Sequence, residues 1–484
     1  MKQARWLGFS SFSLILVLAP VLLAMGAFSS YLGQAQWLTY MTDAYTWRIV
    51  WFSWWQACLS TVISLSAAVL VARALARRQS FVGRWLLLRC FSVALVVPSI
   101  IAVFGIILLH GKYGYVNQLW LWLGGQPQSY VYGLTGILLA HVFFNLPLAT
   151  RILLQRLDTI NSETWRLSSQ LGMSSVDLWR HIEWPHIKGV LPQLAALVFA
   201  LCFTSFAIVM TLGGGPKATT IEVAIFQAIR FDFDIAKAVY LSLLQMVFCG
   251  FILWAGLRLG RPIDMFVGLE TSAKNMRPDL KPVLGIVSDS VVLMLATLLV
   301  LLPLLAVVIA GVNTAWADVL LDLRLWNAFS NSLWVALSSA LLSLLMASGL
   351  LLAQRHWRER YASAALAVEW MGSVILVVPP LVLATGLFIG LSPHVNVFAI
   401  NLYIVVLVNA LMGLPYMLRV LSVAYLKIGR DYDRLCSSLG VQGWHRLRHV
   451  EWPILRKPIG LALALVAAMS AGDLGVVALF GSPD

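Results

Sequence analysis

The stretch Gly213-Gly214-Gly215-Pro216-Lys217-Ala218-Thr219 carries the residue types of a phosphate-binding loop. Such a loop needs Gly-x4-Gly-Lys-Ser/Thr after a strand, so that successive amides and a lysine surround the phosphates. Here no glycine adjoins the lysine, and the segment reads as an ordinary loop. His445 and His449 have the spacing of a helical metal pair, but they lie among Arg446 and Arg448 without a nearby third ligand and belong to a basic surface. Asp473, flanked by Gly472 and Gly475, puts a carboxylate in an apolar run, where an unpartnered charge costs at least a few kcal/mol. The favoured reading is that it caps a broken helix or bonds a neighbouring helix; the alternative is that it faces a path and attracts a cation. Its counterpart in a repeat described below is the neutral Ser205. His141 and Asn145, one helical turn apart in another apolar run, read chiefly as hydrogen-bonding across helices, with path-lining as the alternative. No metal set, nucleophile and base pair or cofactor fingerprint remains, so the chain does not read as an enzyme.

The elements that must position these groups are membrane helices. The chain has 484 residues, is 60% hydrophobic and 11% charged, and has a mean hydropathy of +0.85. Apolar runs of about 20 residues recur, each long enough to cross a bilayer as a helix. Spans are expected near 8–32, 53–76, 88–110, 133–154, 190–212, 237–258, 285–311, 331–353, 371–392, 399–421 and 458–480, roughly eleven in all. Backbone groups must be satisfied internally in lipid and these runs are too long for barrel strands, so the fold class is an all-α polytopic bundle. The first run follows Met1-Lys2-Gln3-Ala4-Arg5 and reads as a retained signal anchor. The net charge of +13 does not call for nucleic acid. Assigning loops alternately to two sides leaves only Arg48, Lys112, Lys217, Arg230, Lys237 and Arg324 on one of them, so positive-inside bias explains the charge and places the amino terminus and basic loops in the cytoplasm. Cys58, Cys90, Cys202, Cys249 and Cys436 are scattered without paired spacing and read as core residues. Trp37, Trp47, Trp51, Trp54 and Trp55 fall at span ends, as interface belts do.

Two basic segments match: LGMSSVDLWRHIEWP (Leu171 to Pro185) and LGVQGWHRLRHVEWP (Leu439 to Pro453), at an offset of 268. At the same offset Pro147 pairs with Pro415, Arg151 with Arg419 and Gly213 with Gly481, while Val96-Val97-Pro98 and Gly105 answer Val377-Val378-Pro379 and Gly386 at an offset of 281. The chain is a tandem duplication. Six helices separate the matched loops, so the repeats are parallel. The boundary is expected in Leu269 to Lys281, giving repeats 1–275 and 276–484 with their loops at 160–188 and 428–457. A full second copy would need another loop and span after Gly481, about 40 residues. The second repeat is therefore read as incomplete at its carboxyl end, with a twelfth helix missing and Asp484 outside.

Each loop has one grammar. Residues from Ser162 to Leu171 are helix-compatible, Gly172 supplies a helix-ending positive φ, and Ser174 and Ser175 can cap a second short helix. The second copy keeps Gly440 but has Gln442 and Gly443 at the cap, which should be weaker. Val176, Trp179 and Ile182 form an apolar stripe, as do Val441, Trp444, Leu447 and Val450, and Pro185 and Pro453 are expected to stop the helix. Two such surfaces on one side either dock a two-fold partner or pack on each other, and these readings stand even.

The loops resemble the cytoplasmic EAA loop of binding-protein-dependent ABC importer permeases, whose pattern runs Glu-Ala-Ala, three residues, Gly, nine residues, Ile-x-Leu-Pro. Gly172, Ile182 and Pro185 match it, as do Gly440, Val450 and Pro453; Arg166 and Arg434 stand at the Glu position, and Trp184 and Trp452 replace the Leu. Trp55 to Leu75, Gly136 to Gln155, Leu212 to Ala228 and Gly472 to Gly481 are similar to the fused permease subunits of bacterial thiamine and thiamine pyrophosphate importers, relatives of ferric iron permeases. The resemblance implies a duplicated type I ABC importer transmembrane domain in the inner membrane, with a homodimeric ATPase on the two loops and a periplasmic thiamine-binding protein outside. The first docking set would be Arg166, Leu171, Gly172, Ser174, Trp179, Ile182, Glu183 and Pro185, and the second Arg434, Leu439, Gly440, Trp444, Val450, Glu451 and Pro453. His141, Asn145, Ser205 and Asp473 are the candidate pathway residues. ATP and Mg would sit on the partner, leaving no cofactor in this chain, and alternating access would carry thiamine or its phosphates inward. Glu222, Asp232, Asp234, Arg230 and Lys217 would be either the seat of the binding protein or a solvated loop. A ferric iron importer permease is the alternative, and a secondary transporter a more distant one.

Overall fold

The computed structural model describes residues 2–32, 36–260, 277–280, 283–357 and 375–481. These residues form helices joined by turns, with no strand among them. Among the described residues nine helices are long and apolar enough to cross a membrane, and ten if the bent pair Ser175–Lys188 and Leu191–Phe203 counts as one span. The remaining expected span, near 371–392, is represented by the 12-residue helix Pro380–Leu391; the start of that run lies outside the described residues. The linker expected between the repeats, Leu269 to Lys281, also lies outside them apart from 277–280.

Several spans are broken, at matching places in the two repeats. The run expected at 88–110 divides into Arg84–Ala94 and Ser99–His110. Pro98, with φ −53° and ψ 138°, cannot continue a helix and also biases Val97 away from helical geometry. Pro379 (φ −59°, ψ 149°) does the same before Pro380–Leu391, which like Ser99–His110 has 12 residues. The 190–212 span splits into Leu191–Phe203 and Phe206–Leu212, and its counterpart into Trp452–Ala471 and Gly475–Phe480. Thr204 and Ser205 thus break one copy where Gly472 and Asp473 break the other.

Contacts divide the chain into two compact units that do not follow the order of the sequence. One consists of Asp43–Val223 and Val247–Thr314. In it Ala44–Arg77 packs on Leu134–Asp158, and Val283–Val312 packs on Ser99–His110. A Cβ on Gly105 would lie 2.3 Å from the Pro303 carbonyl oxygen, so only glycine permits this approach. Asp289 accepts from Arg77 (2.6 Å) and Arg78 (3.0 Å), fixing the end of Val283–Val312.

The other unit consists of Met1–Thr42, Ala224–Met246 and Ala315–Asp484. Here Lys2–Ser29 packs on Leu323–Trp357 and on Pro380–Leu391. A Cβ on Gly386 would lie 2.4 Å from the Ala24 Cβ, the same close approach seen at Gly105. Each unit is therefore completed by the first helix of the opposite sequence half, and each of those helices carries an interior proline, Pro20 or Pro303.

Candidate functional site

The first repeated loop begins with the helix Ser162–Gln170, separated from Leu134–Asp158 by a three-residue break. Gly172 has φ +61° and ends it, as the sequence predicts. Ser174 then caps the next helix: its backbone N and Oγ both donate to Asp177 Oδ2 (3.1 and 2.6 Å), and Asp177 N donates back to Ser174 Oγ at 3.3 Å. These bonds from Ser174 hold the Asp177 carboxyl below its usual range. The second loop differs at both points. Asn401–Ser438 runs without interruption into it, and Gln442 precedes Gly443–Arg446 with no side-chain cap bond. Gly440 has φ +66° and does the same work as Gly172.

Pro185 and Pro453 do not stop the helix. Trp179–Glu183 and Leu447–Glu451 are π turns, in which the N–H of Trp184 reaches back five residues to Trp179 and that of Trp452 to Leu447. The wide turn accommodates a proline that has no N–H to donate, and the helix resumes as Trp184–Lys188 and Trp452–Ala471.

The loops expose much of their candidate surface. Arg166, Leu171, Gly172 and Ser174 are exposed in the first, and Arg434, Leu439, Gly440, Trp444 and Pro453 in the second. Val176 is exposed as well, so the apolar stripe of the first loop is covered only toward Ile182. Trp179, Pro185 and Val450 are half-buried.

Ile182 and Glu183 point inward, so Glu183 offers no surface to a partner. Its carboxylate, 0% exposed, accepts from Arg73 Nε (2.6 Å) and from Arg277 Nη2 (2.5 Å). Arg277 also pairs with Asp279 at 3.1 Å and lies 4.2 Å above the buried Trp165 ring. Burial alone would lower the Arg277 guanidinium, but Asp279 and Glu183 outweigh it and hold it above its usual value. Burial likewise works against the Asp279 carboxylate, and Arg277 and its neighbours override it, keeping this acid below the ordinary carboxylate range.

Glu451, in the second loop, accepts from Arg355 (3.2 Å) and Arg446 (3.0 Å), and both arginines also bond Asp433. Its side chain remains 15% exposed. Arg355 passes 3.3 Å from where a Cβ on Gly429 would stand, so that glycine gives the guanidinium its route. None of the arginines behind these glutamates stands out in the sequence pattern; a carboxylate next to an aromatic-proline pair is the only local sign that a cation is required.

The intramembrane candidates are held by neighbours. His141 is buried, its Nδ1 2.9 Å from Ser60 Oγ, and Asn145 donates to Cys202 Sγ at 3.2 Å. Asn409, at the position of His141, donates to Ser470 Oγ at 2.9 Å. Asp473 Oδ1 accepts from Gly475 N at 3.1 Å, a cap on the broken helix, while Oδ2 is buried with no partner among the described residues. Ser205 stands at the equivalent break without a side-chain cap bond. In the charged segment, Glu222 is buried, Asp234 accepts from Tyr40 Oη at 2.9 Å, and Arg230 donates to the Gly481 carbonyl at 2.7 Å. Burial and then Asp234 push the Tyr40 hydroxyl up to about 12. Asp232 and Lys217 are exposed. His445 and His449 stack with ring centres 6.3 Å apart, and no group of three metal-ligating side chains occurs among the described residues.

Paired loops on a duplicated helical bundle define a membrane transport permease. Residues 62–260 match the family described as binding-protein-dependent transport system inner membrane component. The chain is 45% identical over 447 residues to the thiamine transport system permease protein ThiP of Salmonella typhimurium, covering 92% of this chain and 83% of that protein. It is 43% identical over 470 residues to ThiP of Escherichia coli K12, covering 97% and 87%, and 40% identical over 440 residues to ThiP of Brucella abortus, covering 91% and 80%. The chain belongs to this family of binding-protein-dependent, inner-membrane ABC permeases. It is a transport subunit and not an enzyme.

Proposed function

We propose that the chain translocates thiamine and thiamine phosphates from a periplasmic binding protein to the cytoplasm, driven by a homodimeric ATPase seated on its two repeated loops. The observation that carries this is the pairing of loop geometry with kinship. Two loops with the same positive-φ glycine and π turn expose Leu171 and Leu439, and the relatives sharing these sequences along nearly the whole chain are named thiamine permeases. Those names favour thiamine over ferric iron. The amino terminus and both loops lie in the cytoplasm, following the bias of Lys and Arg. ATP and Mg belong to the partner. Closing the ATPase dimer favours one arrangement of the helices through contacts made in one state and not in the other, which is the energetic content of alternating access. His141, Asn145, Ser205 and Asp473 are the pathway candidates; the unpartnered Asp473 oxygen suits a cationic substrate best.

Labelled thiamine uptake into proteoliposomes holding the chain, its ATPase and its binding protein tests this. Valine at Gly172 or Gly440 forces an unfavourable positive φ and adds bulk to open surface, so uptake and ATPase capture should fall together. Thiamine transport without ATP would overturn the importer reading. Intact ATPase capture with no thiamine uptake would leave the architecture and turn the search to iron.

A further inference from the structure

We propose that Glu183 and Glu451 are positioning residues, each locked by an arginine of a long membrane helix earlier in the chain, Ala44–Arg77 or Leu323–Trp357, so that the loop and that helix move as one body. The proposal rests on the reading that the loops dock an ATPase. Three observations carry it. First, the lock occurs twice, on equivalent glutamates at the ends of equivalent π turns, as Arg73 with Glu183 and Arg355 with Glu451. The two arginines are 282 residues apart, within one residue of the 281-residue offset that relates Pro98 to Pro379, so they come from corresponding ends of the two repeats.

Second, Arg73 grips the whole short docking helix. It donates to the Ser175 carbonyl (2.8 Å) and Ser175 Oγ (3.2 Å), lies 5.0 Å from the Trp179 ring centre, and bonds Glu183. Residues 175, 179 and 183 are one stripe at four-residue spacing, so a single planar guanidinium fixes position and rotation together. Arg355 spans Asp433 in Asn401–Ser438 and Glu451 in the π turn, joining the two sides of the second loop. Third, the lock sits where the helix is least able to carry force by itself. A π turn interrupts the regular ladder in both copies, and charge-assisted bonds across it restore a stiff connection.

The test substitutes Arg73→Gln and Arg355→Gln in the full chain, reconstituted with its ATPase and binding protein. It reads ATPase capture, ATP hydrolysis and labelled thiamine uptake separately. The expected result is capture and hydrolysis within about twofold of the unsubstituted chain while thiamine moved per ATP falls about tenfold, with Arg73→Lys recovering part of it. Unchanged thiamine per ATP would overturn the lock, as would a fall that only follows lost capture, the mark of a purely structural contact. Failure of the unsubstituted chain to capture the ATPase would instead overturn the docking reading beneath it. Where the Gln variant does not fold, Arg73→Lys alone decides, because it keeps the charge and removes the fork: full coupling with lysine overturns the proposal, reduced coupling supports it.

Discussion

The first repeated loop is braced by apolar packing and buried charge, the second by an ion network open to water. Trp165 and Leu178 are both buried in the first loop; at the same positions the second has Asp433 and Arg446, which bond each other. Where Arg277 covers Trp165 and completes the partners of Glu183, Arg446 of the second loop takes over for Glu451. The first loop is also hinged at its start, whereas the second continues a helix of 38 residues. One backbone design thus tolerates two kinds of support, provided the glutamate at the end of the π turn keeps two cationic partners.

The sharpest way to break this comparison is to remove the glutamates. Glu183→Ala leaves Arg277 buried without one carboxylate and should cost about 3–5 kcal/mol. Glu451→Ala removes two pairs whose side chains keep partial contact with water and should cost less, about 1–2 kcal/mol. Thermal unfolding of the two purified variants in detergent reads the difference, and equal shifts would deny that burial separates the loops. A transplant gives a smaller effect: Trp165→Asp and Leu178→Arg build the second loop's ion pair into the first. Each change alone strands a charge, and the pair should recover about 1–2 kcal/mol relative to the sum of the single changes. Strict additivity would show that Arg277 rather than the local pair sets the brace.

Much of this was legible in the sequence. A constant offset exposed the duplication, and Gly172 and Gly440 announced their positive φ because they sit where helix-compatible runs stop. Ser174 declared its cap for the same local reason. What stayed hidden depends on contacts distant in sequence. Periodicity marks which face of a helix is apolar and does not say which helix covers it, so the exchange of Lys2–Ser29 and Val283–Val312 between the units could not be read. The resemblance to the EAA loop puts Glu183 in the docking set, yet Arg277, 94 residues away, draws it inside. Pro185 and Pro453 misled in the opposite sense: the rule that proline ends a helix holds for an unbroken α ladder, and a π turn directly upstream suspends it. His141 and Asn145 are hydrogen-bonded across helices, as a polar group in lipid needs a partner, but no local feature of the sequence names Ser60 and Cys202 as those partners.

The smallest expected difference lies in the caps. Ser174→Ala removes a two-way capping box and should cost about 1 kcal/mol, which hydrogen exchange reads as roughly fivefold faster local opening at 175–178. Gln442→Ser supplies the second loop with the hydroxyl it lacks and should slow exchange at 443–446 by a smaller factor. Acid separates the two caps further. The Asp177 carboxyl is held low by Ser174, so its stabilising contribution is complete above the ordinary aspartate value of about 4 and is lost as pH falls through the depressed folded value. Protection at 175–178 should therefore stay flat from neutral pH down to about 5 and weaken only in stronger acid. The second loop has His445 where Asp177 stands and no carboxylate in its cap, so exchange at 443–446 should show no acid step of this origin. A matching acid step in both loops would mean that the Ser174 cap does not govern local opening.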